Sequence, residues 1–115
     1  MRVVHESDGQ SQPLAENVET ADSFLSQARG LMFRRSIPDD YALAFRFDDV
    51  ASRDVHMVFV PFPLDVVWTQ SGEVQQVEQL SAWTGLAKAR ADTLFELPAG
   101  SASDVKIGDS VRLAE

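Results

Sequence analysis

Period-two alternation, interrupted every few residues by turn signals, most limits the folds open to this chain. Tyr41, Leu43, Phe45 and Phe47 alternate with Ala42, Ala44 and Arg46, the pattern of a strand with one buried face. Residues 2–5 and 17–19 read as short strands, and Asp8-Gly9 between them is a hairpin signal. Further strands are expected over 55–60, 65–70, 73–80, 93–97 and 110–113. Ser71-Gly72 and Gly108-Asp109 supply turns, and Asp48 to Ser52 reads as a loop. Val74 and Val77 fall out of phase in their strand, which predicts a bulge or an end. Residues 82–89 fit no clear pattern. Strands this short, separated by turns, predict a mainly β chain: a compact jelly-roll-like sandwich or a small barrel.

One segment departs from this rhythm. Ala21, Phe24, Leu25, Ala28 and Leu31 fall at helical spacing, which predicts an α-helix over about 21–31. Thr20 or Asp22 can cap it, and Gly30 stands where a left-handed terminal residue is wanted. Pro98-Ala99-Gly100 opens a short helical turn near 100–105. No repeat, low-complexity tract or linker divides the 115 residues, so a single domain over 1–115 is expected.

The composition narrows the function classes. A hydrophobic fraction of 44% with seven Phe argues for a packed core rather than disorder. The absence of cysteine removes disulfides, thiolate metal sites and cysteine nucleophiles together. The start turns polar after Val4 and no long apolar segment follows, so neither a signal peptide nor a membrane span is expected. A cytoplasmic location is the corresponding expectation. The net charge is −8, with eleven Asp, seven Glu, eight Arg and only Lys88 and Lys106 as lysines. Short, strongly hydrated carboxylates with few lysine stems suit a surface that stays soluble in concentrated salt, so a halophilic protein is expected. No basic stripe exists to neutralise phosphates, which disfavours nucleic acid and an acidic membrane as partners.

The stretch from His56 to Trp68 is apolar, broken by Pro61 and Pro63 and then by one acid, Asp65. A carboxylate between Leu64 and Val66 is costly to bury without a partner. Arg29 and Arg34, flanking the end of the expected helix, are the obvious partners, with Arg46 as a third. Asp65 is expected either as a buried latch to an arginine or as the polar anchor of a ligand pocket. His56, Met57 and Met32 could supply soft ligands to a metal such as Cu(I), but core packing explains both methionines and no metal site is expected. Trp68 reads as core or as an aromatic platform for a ligand, and Trp83 as a half-exposed anchor. No nucleophile elbow, phosphate-cradling loop or dinucleotide fingerprint is present, and no cofactor is expected.

The ordered set Arg29-Gly30-Leu31-Met32-Phe33-Arg34, the Tyr41-to-Phe47 strand, Met57, Pro63-Leu64-Asp65-Val66-Val67, Glu96-Leu97-Pro98-Ala99-Gly100 and Gly108-Asp109 resembles the domain-of-unknown-function family 192. It extends from about Val18 to Leu113. The resemblance implies a β-rich, jelly-roll-like domain and no established activity. With the charge balance, it suggests a member from a halophilic archaeon. Many relatives place Trp-Met-Lys-Asn-Thr where this chain has His56-Met57-Val58-Phe59-Val60, so a site needing that Lys and Asn is not carried over. Many also bear an export or lipoprotein signal that is not seen here.

These readings favour a non-catalytic binding or interaction module for a small molecule or a protein, with Asp65, Arg29, Arg34, His56 and Trp68 as its site. A purely structural or accessory domain is the second reading. An enzyme of unknown reaction using Asp65, Arg29 and His56 is the third, and the balance leans against it. The sequence does not fix an oligomeric state.

Overall fold

In the computed structural model, residues 1–22, 27 and 29–115 are described. Eight strands make one sheet: β1 (Arg2–Ser7), β2 (Gln10–Ala15), β3 (Asn17–Thr20), β4 (Tyr41–His56), β5 (Leu64–Gln70), β6 (Glu73–Leu80), β7 (Leu86–Pro98) and β8 (Ser110–Ala114). Their order across the sheet is β2-β1-β8-β6-β5-β7-β4-β3, antiparallel except for the β3/β4 pair.

That order forces the sheet to roll up. β2 and β3 are its two edges, yet only Glu16 separates them in sequence. A flat sheet of eight strands would hold its edges roughly 34 Å apart. One connecting residue spans no more than about 7 Å. The edges therefore meet, and the amides of Glu16 and Asn17 both donate to the Asp40 carbonyl at 3.0 Å. The result is a barrel-like roll made of a single sheet, rather than a two-sheet sandwich.

Alternation along the strands sorts the apolar residues onto two faces. Val3, Ala42, Ala44, Val67, Val74, Phe95, Leu97 and Val111 fill the inside of the roll, with Ala102 and Val105 closing one end. The small alanines of β4 suit the tight interior. Tyr41, Leu43, Phe45, Leu64, Val66, Trp68 and Leu94 form a second core on the outer face of β4, β5 and β7. Ala21, Leu31, Met57 and Val60 from the adjoining segments cover it.

Turn chemistry explains the hairpins. Asp8-Gly9 (φ 52° and 79°) joins β1 to β2, and Ser71-Gly72 (φ 49° and 84°) joins β5 to β6. Left-handed conformations at both central positions match the twist of the flanking strands. The expected irregularity of β6 is a bulge at Gln75: Trp68 pairs with Gln76 and Thr69 with Val74.

Three expectations change. The strand over 41–47 does not end at Asp48 but runs to His56, so 48–52 is a bulge within β4 rather than a loop between two strands. Four residues, 47–50, stand opposite the single Asp92, since Arg46 pairs with Thr93 and Ala51 with Ala91. Arg53 holds the bulge by donating to the Asp49 carbonyl and carboxylate and to the Ala91 carbonyl, and its guanidinium lies 3.8 Å over the Phe47 ring. The strand expected over 55–60 accordingly ends at His56, and β7 starts at Leu86, in the stretch that showed no pattern. The turn near 100–105 is a chain of separate turns, closed by Pro98–Ser101, Gly100–Ser103 and Ala102–Val105 hydrogen bonds, rather than a helix. The helix expected over about 21–31 lies largely outside the described residues. Among the described residues, no helix is long and apolar enough to cross a membrane.

Candidate functional site

Asp65 is buried, as its setting demands, but its partners are not arginines. On β5 it points into the roll with Val67. Its Oδ2 accepts from the backbone amides of Gly100 (3.0 Å) and Ala102 (2.8 Å), and its Oδ1 from Gln79 Nε2 (3.2 Å). Gln79 is its direct cross-strand neighbour on β6. The carboxylate therefore pins the turns that close the end of the roll. Arg34 instead pairs with Glu19 at 3.0 Å and lies over the Tyr41 ring, while the Tyr41 hydroxyl donates to the same Glu19 oxygen at 2.7 Å. These contacts, the Tyr41 bond first, hold the Glu19 carboxyl below its usual range. Arg46 reaches Asp22 at 3.9 Å. Trp68 is fully buried, with its Nε1 donating to the Arg53 carbonyl at 2.8 Å.

The other two expected residues do share a place. Arg29 and His56 both line a cleft of about 300 Å³ on the outer face of β4 and β7. Gln27 and residues 29–32 form one wall, and Phe45, Val55, Val60, Leu64 and Leu94 give it an apolar floor and sides. His56 Nδ1 accepts from the Val58 amide at 3.3 Å. Arg53 and Asp54 stand at the rim. Asp65, Arg34 and Trp68 are not part of this cleft.

The floor holds a group that the sequence reading did not single out, Glu96. It lies between Leu43 of β4 and Val66 of β5, on the outer-core face. Only 6% of it is exposed, and its Oε1 has no hydrogen-bond partner among the described residues. No described lysine, arginine or histidine forms an ion pair with it either. Burial without compensation pushes the carboxyl from 4.5 up to about 7. Gly30 lies against it: a Cβ there would be 3.5 Å from Oε1 and 3.6 Å from Phe45 Cζ. The space would admit a Cβ, but the φ of 52° is what favours glycine. Two of the resemblance motifs, 29–34 and 96–100, thus meet at one carboxyl.

Beside this region three bulky residues adopt left-handed backbone conformations: Phe33 (φ 70°), Phe59 (φ 60°) and Trp83 (φ 67°). Such residues resist this region, at about 1–2 kcal/mol each. The Phe33 amide donates to the Phe59 carbonyl at 2.8 Å, and the two exposed rings stack at 4.9 Å. The Trp83 amide donates to the Val60 carbonyl at 3.0 Å. Among the described residues no group of three His, Asp or Glu side chains is placed to hold a metal ion.

Comparison with known proteins agrees with this architecture. The family model described as "Uncharacterized ACR", DUF192, matches residues 3–113. The UPF0127 protein PH1112 of Pyrococcus horikoshii is 33% identical over 101 residues, covering 83% of this chain and 85% of that protein. A crystal structure of a protein of unknown function from Novosphingobium aromaticivorans superposes with a TM-score of 0.84 at 22% identity. It covers 97% of this chain and 84% of that one. A second, from Sinorhizobium meliloti and described as a candidate transcription regulator, gives a TM-score of 0.82 at 23% identity, covering 96% and 91%. At these identities the two structures share the fold.

Proposed function

The chain belongs to the DUF192 family, and from that premise we propose that it is a non-catalytic binding domain for a small organic ligand, with its site in the cleft over Glu96. One observation carries the reading. A carboxyl with an unpartnered oxygen lies at the floor of an open, largely apolar cleft, where burial costs stability and no described contact within the fold offsets it. Perturbed groups of this kind concentrate at functional sites. Arg29 and His56 belong to the site as rim groups. Asp65 serves as the structural latch of the roll's end, so the pocket role first expected of it passes to Glu96. A catalytic reading has less support: among the described lining residues the second carboxylate, Asp54, is exposed, and no hydrogen bond joins Ser52 to His56 or to Glu96.

Methyl-resolved NMR with a small fragment library tests the proposal. Compounds that bind should shift the methyl signals of Leu31, Val55, Leu64 and Leu94 and leave those of Val67 and Val111, inside the roll, unchanged. If no fragment moves the cleft methyls, the reading is wrong.

A protein partner is the second reading, supported by the exposed Phe33, Phe59 and Trp83 with their strained backbones. Phe59→Ser should remove such a contact and leave fragment binding in the cleft intact. The acidic, lysine-poor composition supports a cytoplasmic protein of a salt-accumulating organism.

A further inference from the structure

Among the described residues, the cleft presents one buried side-chain hydrogen-bond acceptor without a partner, Glu96 Oε1, on a residue more than nine-tenths buried, with Leu31, Phe45, Val55 and Leu94 around it. Three kinds of occupant could meet a carboxylate there. A metal ion needs several ligands converging on one point; the cleft's other carboxylate, Asp54, is exposed, and among the described residues no three His, Asp or Glu side chains converge. An anion would be opposed by Glu96 whenever the carboxyl is ionised. A hydrogen-bond donor that also carries positive charge answers both needs at once.

We infer, resting on the binding-domain reading above, that the cleft takes a primary ammonium group on a short apolar stem. The ammonium donates to Glu96 Oε1, and the stem lies against Leu31, Phe45, Val55 and Leu94. A primary ammonium fits better than a quaternary one, because Glu96 Oε1 is a buried acceptor and a quaternary group has no N–H to donate to it. The net charge of −8 draws cations toward the surface as a whole.

Proton linkage follows from the same carboxyl. With its pKa near 7, Glu96 is about half protonated at neutral pH before the ammonium arrives. Binding requires the ionised form, so it expels part of a proton. Among the described residues, the charged or titratable groups that line the cleft with Glu96 are Arg29, and Arg53, Asp54 and His56 on β4. Histidine also changes charge near neutrality, so its contribution must be separated from that of Glu96.

Three compounds of nearly equal shape make the test: benzylammonium, benzyl alcohol and benzoate, titrated against the full chain and read from the cleft methyl shifts. Benzylammonium should bind at least roughly tenfold more tightly than benzyl alcohol, the usual advantage of a charge-assisted hydrogen bond. Its affinity should be about tenfold weaker at pH 6 than at pH 8. Glu96→Gln should abolish both differences, whereas His56→Gln, which alters the rim of the site, should change the absolute affinities and keep the benzylammonium-to-benzyl-alcohol and pH ratios. Calorimetry on the wild type in two buffers of different ionisation enthalpy should show proton release near pH 7, a readout that does not depend on either variant folding. If benzyl alcohol or benzoate binds as well as benzylammonium, or if no proton is released, the ammonium inference fails and the cleft remains a binding site. If none of the three moves the cleft methyls, the inference fails as well, and the fragment library decides the broader reading separately.

Discussion

Replacing Asp65 by alanine should cost about 2–4 kcal/mol of stability, through lost backbone acceptors rather than a broken ion pair. The carboxylate accepts from two backbone amides, Gly100 and Ala102, and from Gln79. Hydrogen bonds to a charged group contribute about 1.5–3 kcal/mol each, and buried donors left unpaired cost about as much again as a neutral bond. Against this, the substitution removes a charge from a largely buried site, which returns part of the loss. Urea unfolding followed by the fluorescence of buried Trp68 gives the total. Amide exchange locates it: Gly100 and Ala102 should lose protection first, because the turns they belong to are what Asp65 holds. A double-mutant cycle separates the mechanisms. Asp65→Ala with Gln79→Ala should couple by about 0.5–1 kcal/mol, while cycles with Arg29→Ala or Arg34→Ala should couple by less than about 0.3 kcal/mol. A total below about 0.5 kcal/mol, the range of ordinary surface changes, or strong coupling to either arginine, would refute the assignment.

Three other outcomes are expected. The raised Glu96 pKa means that the folded chain keeps a proton the unfolded chain has lost between about pH 4.5 and 7. Stability should therefore fall by about 3 kcal/mol as pH rises through that window and stay level above it; in Glu96→Gln that part of the slope should vanish, and an unchanged slope contradicts the burial argument. Gly85→Ala should destabilise by about 1–3 kcal/mol, because a Cβ would meet Leu80 Cβ at 2.7 Å, the Ser81 carbonyl at 2.8 Å and Met57 Cγ at 2.9 Å; thermal melting checks it, and a neutral result means the 80–85 turn can shift. The melting midpoint should rise from dilute buffer to molar KCl through screening of self-repulsion, and insensitivity to salt contradicts the halophilic reading.

What could be read from the sequence follows the range of the forces involved. The hairpin at Asp8-Gly9, the alternation from Tyr41 and the bulge in the 73–80 strand are local, and each appears where turn chemistry or side-chain period placed it. The course of β4 through Asp48 and Asp49 was hidden because the residues that hold the bulge, Arg53 and Phe47, act through a stacking contact and carbonyl bonds with no sequence signature. The need of Asp65 for a partner was legible; the partner was not, because backbone amides are supplied by every residue type and arginine is only the more conspicuous candidate. The left-handed conformations of Phe33, Phe59 and Trp83 carry no signal at all, since composition points to Gly, Asn or Asp for such positions.

Glu96 could have been found by the argument that found Asp65. Each is a lone acid set between apolar neighbours, Leu64 and Val66 in one case, Phe95 and Leu97 in the other. The ladder between β5 and β7 places them one step apart, with Asp65 opposite Leu97 and Val66 opposite Glu96. Because side chains alternate, that single step turns Asp65 into the roll and Glu96 out toward the cleft. Inside, the closing turns provide two amides and β6 provides Gln79, so the charge of Asp65 is answered by the fold. Outside, Glu96 meets Gly30, which has no side chain to offer, and Oε1 is left without a described donor. The same residue chemistry thus has two consequences set by register alone. The satisfied acid stabilises the architecture, and the unsatisfied one leaves an affinity for whatever can bring it a donor.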